Sequence, residues 1–90
     1  MAIVTLRYWA AARAAAGVAE EKVAADTLAA AVAGALAGAG EGARHGGQLG
    51  AVLARSSFLI DGRPVGMRAP ESVALDDGAV IEVLPPFAGG

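Results

Sequence analysis

The chain has no cysteine, one histidine, one lysine and four aromatic residues, and each shortage closes off a kind of chemistry. Without cysteine there is no disulfide, no zinc–thiolate site and no thiol nucleophile. His45 lies alone in a glycine-rich stretch, without ligand partners at metal-binding spacing, and reads as a solvated loop residue. Basic residues are few and scattered (Arg7, Arg13, Arg44, Arg55, Arg63, Arg68 and Lys22), and the net charge is −2. No basic stripe with interleaved aromatics forms, so a nucleic-acid partner is not expected. The longest uncharged run, residues 27–40, is mostly alanine and glycine. A membrane-spanning helix needs about 20 apolar residues, so this run is too short. No basic segment followed by an apolar stretch opens the chain. The expectation is a cytoplasmic protein without a membrane partner.

What is present fits one small domain of 90 residues, although alanine inflates its 56% hydrophobic content. Residues 3–9 alternate Val4, Leu6 and Tyr8 with Thr5 and Arg7, the period of a half-buried strand. Residues 10–17 read as a turn region with at most one helical turn, closed by Gly17. A second strand is expected over 19–24, opening with Glu20 and Glu21 as an exposed pair. Asp26-Thr27 offers a helix cap, and Leu28, Val32 and Leu36 follow at four-residue spacing beside Ala31 and Ala35. Gly38 and Gly40 would end that helix, and residues 40–50 form the expected loop. A short helical turn is expected at 49–54, then a strand at 57–60 with Phe58 and Ile60 inward. Asp61-Gly62 signals a hairpin turn into residues 63–65. Residues 73–75 read as a brief edge strand, and Asp76-Asp77-Gly78 as a turn into a last strand over 80–84. The order is strand, strand, helix, then short strands. It predicts an α+β, β-grasp (ubiquitin-like) mixed sheet packed on one main helix, with the first and last strands paired at its centre.

The chain closes with Leu84-Pro85-Pro86-Phe87-Ala88-Gly89-Gly90. Prolines hold the backbone extended and end a sheet ladder. Glycines lack Cβ, so the tip fits a channel too narrow for other residues. With 13 glycines among 90 residues, the Gly-Gly pair alone is a weak signal, and chain ends are often merely frayed. Its context is stronger, because the tail leaves a strand with no polar linker between them. The division expected is a β-grasp domain over 1–84 and a flexible tail over 85–90.

Catalytic groupings are hard to find. No phosphate-binding glycine loop ends in Lys-Ser or Lys-Thr. Ser56 and Ser57 have no nearby histidine to act as base. Asp76 and Asp77 belong to a turn, and Glu20 and Glu21 read as solvated. A catalytic site of the chain's own is therefore not expected. The one group with chemistry is the Gly90 carboxylate. A carboxylate is a poor acyl donor until a mixed anhydride with AMP supplies a leaving group. A sulfur nucleophile can then displace AMP and leave a thiocarboxylate.

Residues 77–90, Asp-Gly-Ala-Val-Ile-Glu-Val-Leu-Pro-Pro-Phe-Ala-Gly-Gly, resemble the end of the MoaD/ThiS-type ubiquitin-like sulfur carriers. The likeness is greatest to the small subunit of molybdopterin synthase. Those proteins carry an acidic-Gly turn, an apolar strand, Pro-Pro, two residues and Gly-Gly. The element order and the Asp61-Gly62 turn agree, although Phe87 is bulkier than usual and the 40–50 stretch is long. The resemblance implies that an E1-like adenylating enzyme activates Gly90 with ATP, no cofactor being bound by the chain itself. A sulfur donor, such as a cysteine desulfurase or rhodanese-like protein, would then form the thiocarboxylate. Pro85, Pro86, Phe87, Ala88 and Gly89 would carry it into the large subunit of molybdopterin synthase for molybdenum cofactor synthesis.

Several alternatives stand beside this reading. The same tail suits a carrier for thiamine or cysteine biosynthesis, a ubiquitin-like modifier joined to target lysines, or a binding module with an inert tail. Strand alternation places Leu59, Val80 and Leu84 on the face opposite the helix. They form either a protein contact or ordinary scattered surface.

Overall fold

The computed structural model describes residues 1–37 and 49–86. Gly38, Gly40, His45 and the tail residues Phe87, Ala88, Gly89 and Gly90 lie outside the described residues.

Strand β1 (Ile3–Tyr8) follows the expected alternation, with Val4, Leu6 and Tyr8 fully buried. Helix α1 (Ala10–Ala16) occupies the stretch expected as a turn. Six of its seven residues are alanine, the best helix former, and propensity carries the segment past one turn. Gly17 caps it in the left-handed region (φ 80°), where a side chain would be strained. Ala12 and Ala16 are buried, and their small methyls let the helix lie close to β1 and β5.

Strand β2 (Glu20–Ala24) pairs antiparallel with β1, with Leu6 opposite Glu21. Helix α2 (Leu28–Leu36) starts as the sequence indicates, the Thr27 hydroxyl accepting the Ala30 N–H at 3.1 Å. Asp26 instead accepts the N–H of Ala2 at 2.8 Å. The buried stripe is Leu28, Ala31 and Ala35, while Val32 is half-buried and Leu36 is 45% exposed. Four residues turn a helix by about 400°, so a four-residue repeat drifts off the core face by about 40° per step. Helix α3 (Leu49–Arg55) covers the helical turn expected at 49–54 and runs one residue past it. It buries Leu49, Val52 and Leu53 and packs beside α1, so two short helices join α2 on one side of the sheet. Among the described residues no helix is long and apolar enough to cross a membrane.

Strands β3 (Ser57–Ile60) and β4 (Arg63–Pro64) form the hairpin expected at Asp61-Gly62. Both turn residues have positive φ, 51° and 84°, the backbone an Asp-Gly pair tolerates best. The expected edge strand at 73–75 does not form. A 3-10 turn at Pro70–Ser72 precedes it, and Ala74 makes only an isolated bridge with Thr27. Val73 and Leu75 are buried and tie to the start of α2. The segment serves as a strap over that helix.

Strand β5 (Val80–Leu84) matches the expected span. The sheet order is β2-β1-β5-β3-β4, with β1 and β5 parallel and the other pairs antiparallel. This is the mixed β-grasp sheet, with the first and last strands adjacent at its centre. Ile81 and Val83 join Val4, Leu6, Leu28 and Leu49 in the core.

Candidate functional site

The end of β5 is the part of the fold with a functional argument, and both neighbouring strands hold it. Val83 stands opposite Tyr8 on β1 and Phe58 on β3, and Leu84 opposite Ser57. The Trp9 N–H donates to the Val83 carbonyl at 3.3 Å. Pro85 and Pro86 follow without amide hydrogens, and pairing stops there. The other end of β5 is also fastened. Asp61 Oδ1 accepts the Val80 N–H at 3.0 Å, and Asp77 Oδ1 accepts the Ile3 N–H at 2.7 Å. These aspartates do more than turn the backbone, since each ties two strands together. The base from which the tail departs is therefore a central strand clamped along its length.

Leu59, Val80 and Leu84 lie where alternation puts them, half-buried on the face away from the helices. They do not make an unbroken apolar patch. Glu82 stands between Val80 and Leu84 along β5 and directly opposite Leu59 on β3. Pro85 is half-buried and Pro86 exposed.

Trp9 is the site residue that sequence reading passed over. It follows β1 in extended backbone and is 45% exposed, level with the end of β5. Its indole N–H donates to Glu82 Oε1 at 3.3 Å. Ala10 then turns the chain into α1 at φ 49°, a left-handed conformation that costs a non-glycine residue about 1 kcal/mol. The signal was available in the sequence. Thr5, Arg7 and Trp9 share the parity of the outward face, and a large aromatic on that face is unusual.

Glu20 and Glu21 do not form the exposed pair expected. Glu20 is exposed and accepts Arg7 Nε at 3.3 Å, whereas Glu21 is only 4% exposed. The register sets Glu21 on the same face as Leu6 and Tyr8. Tyr8 is the chain's sole tyrosine, and burial holds its phenol pKa far above the ordinary 10.0. The negative charge of Glu21 raises it further. This pair is a structural feature of the core at the β1–β2 end.

Ser56, one of the two serines weighed as nucleophiles, has a structural role. Ser56 Oγ donates to the Val52 carbonyl at 2.7 Å, capping the end of α3. No group of three or more His, Cys, Asp or Glu that could hold a metal occurs among the described residues.

No protein-family model matches the chain, and no curated protein matches it in sequence. Solved structures do match its fold. The small archaeal modifier protein 1 of Methanosarcina acetivorans is 21% identical with a TM-score of 0.72, over 100% of this chain and 98% of that one. A Pyrococcus furiosus protein named as a candidate molybdopterin converting factor, subunit 1, is 22% identical with a TM-score of 0.73, over 97% and 100%. The SAMP1 structure from Haloferax volcanii is 21% identical with a TM-score of 0.67, over 98% and 99%. The fold is therefore the ubiquitin-like β-grasp shared by small modifiers and MoaD-like subunits.

Proposed function

We propose that this chain is a cytoplasmic sulfur carrier, not itself an enzyme, whose chemistry resides on a carboxyl-terminal Gly90. The observation that carries the reading is the setting of β5. The strand is clamped on both sides and pinned at its start, then passes through Pro85-Pro86 toward a Gly-Gly tip. A rigid base and a slim tip suit delivery of a carboxyl group into another protein's site. The Gly90 carboxylate attacks the α-phosphorus of ATP on an E1-like enzyme, and pyrophosphate leaves. A persulfide on a donor protein then attacks the acyl carbon and AMP departs, leaving an acyl disulfide. A thiol cleaves its S–S bond, releasing the Gly90 thiocarboxylate and forming a disulfide with the donor sulfur. The acceptor we favour is the pterin precursor held by a large molybdopterin synthase subunit. The Pyrococcus furiosus likeness and the Pro-Pro-x-x-Gly-Gly ending support that choice.

A second reading has its own support. Two of the structures with this fold are modifier proteins by name, and the same adenylated Gly90 could be passed to a lysine amine. Deleting Gly90 should abolish sulfur transfer in a reconstituted reaction with activating enzyme, donor and large subunit. Undiminished transfer would overturn the proposal. Wild-type chain that appears on lysines, and never as a thiocarboxylate, would replace it with the modifier reading.

A further inference from the structure

Arg7 sits between two acids, opposite Glu20 on β2 and opposite Glu82 on β5. Its guanidinium pairs with Glu20. Among the described residues no cation pairs with Glu82. Glu82 accepts one N–H, from the Trp9 indole, although a carboxylate has about four acceptor positions. That bond aligns the carboxylate with the edge of an indole that is nearly half in solvent. Leu59 stands opposite Glu82 on β3. An aromatic face beside an anion with no cationic partner is the combination that receives a guanidinium or ammonium group.

We propose that Trp9 and Glu82 form a cation-accepting notch at the base of the tail. Its occupant is an arginine or lysine side chain of the protein that receives the tail. The location fixes that choice. Six residues, 85–90, extend at most about 20 Å, so a protein enclosing the tip must press on the surface from which the tail leaves. Trp9 and Glu82 lie on that surface. Arginine fits better than lysine, because its planar head can stack on the indole while donating to the free carboxylate oxygen. The identity of the occupant rests on the carrier reading, but the notch's taste for cations does not.

Trp9 is the only tryptophan, so its fluorescence reports the notch directly. The probe is acetyl-diarginine amide, with the uncharged citrulline analogue as control. The expected result is a saturable change with the arginine peptide alone. In Glu82→Gln, whose amide oxygen still accepts the indole N–H, half-saturation should need about fivefold more peptide. Glu71→Gln, which removes an equal charge on the 3-10 turn at Pro70–Ser72, should leave the titration unchanged. Equal titrations of wild type and Glu82→Gln, or equal responses to both peptides, overturn the proposal. In the activation reaction Glu82→Gln should raise KM about fivefold and leave kcat unchanged, whereas an unchanged KM removes the tail-receiving protein as occupant. Wild-type chain that no activating enzyme modifies contradicts the carrier reading, while the peptide titration still decides the notch.

Discussion

At the residue scale, parity along a strand determines what each side chain can do. Glu20 and Glu21 are identical in composition terms, yet one holds Arg7 in solvent and the other lies in the core beside Tyr8. The alternation Glu21, Val23, Ala25 already marked the inward face, but a charged residue there ran against expectation. The cost of burying it is reduced by the tyrosine it meets. A phenol with a raised pKa stays neutral in the native state and ionises near 10.0 once unfolded. The native form therefore holds the proton more tightly, and its contribution to stability is complete below pH about 10. Above that pH stability should fall, by up to about 1.4 kcal/mol per pH unit from this group. Because Tyr8 is the sole tyrosine, tyrosinate absorbance isolates it. Absorbance should appear only as the fold is lost. A normal titration near pH 10 with the fold intact would show that Tyr8 is not held as described.

At the element scale, the strands were more legible than the helices. Period-2 patterns gave β1, β3 and β5 nearly to the residue, and Asp61-Gly62 gave the hairpin. Alanine supplied no such contrast. In the alanine-rich run of α1 every position looks alike, so neither its length nor its buried side could be read from hydrophobic spacing. In α2 the leucines suggested one stripe and packing selected another, because alanine is small enough to occupy the close contact with the sheet. That assignment has a direct consequence. Leu28→Ala should cost about 3 kcal/mol in chemical denaturation, while Leu36→Ala should cost under about 0.5 kcal/mol. Equal losses would mean that α2 is rotated from the orientation described. The 73–75 segment failed as a strand for a related reason: its backbone bonds go to the start of α2 rather than to a neighbouring strand.

At the scale of the whole molecule, the fold puts β5 and the Pro85-Pro86 exit at the middle of the sheet. The parallel pairing of β1 and β5 puts the last strand at the sheet centre, where local unfolding is least favourable. Element order and the Pro-Pro-x-x-Gly-Gly ending made this much readable from sequence. The Trp9–Glu82 contact near the end of β5 was not readable, since it needs the register that sets the two side by side. The central claim concerns Gly90, and intact-mass analysis tests it most directly. The chain is incubated with ATP, an E1-like activating enzyme and a sulfur donor, then fragmented to locate any change. The account predicts a mass gain of one oxygen-to-sulfur exchange, confined to Gly90 and absent without ATP. An unchanged mass with activating enzymes that modify other carriers of this fold would contradict it.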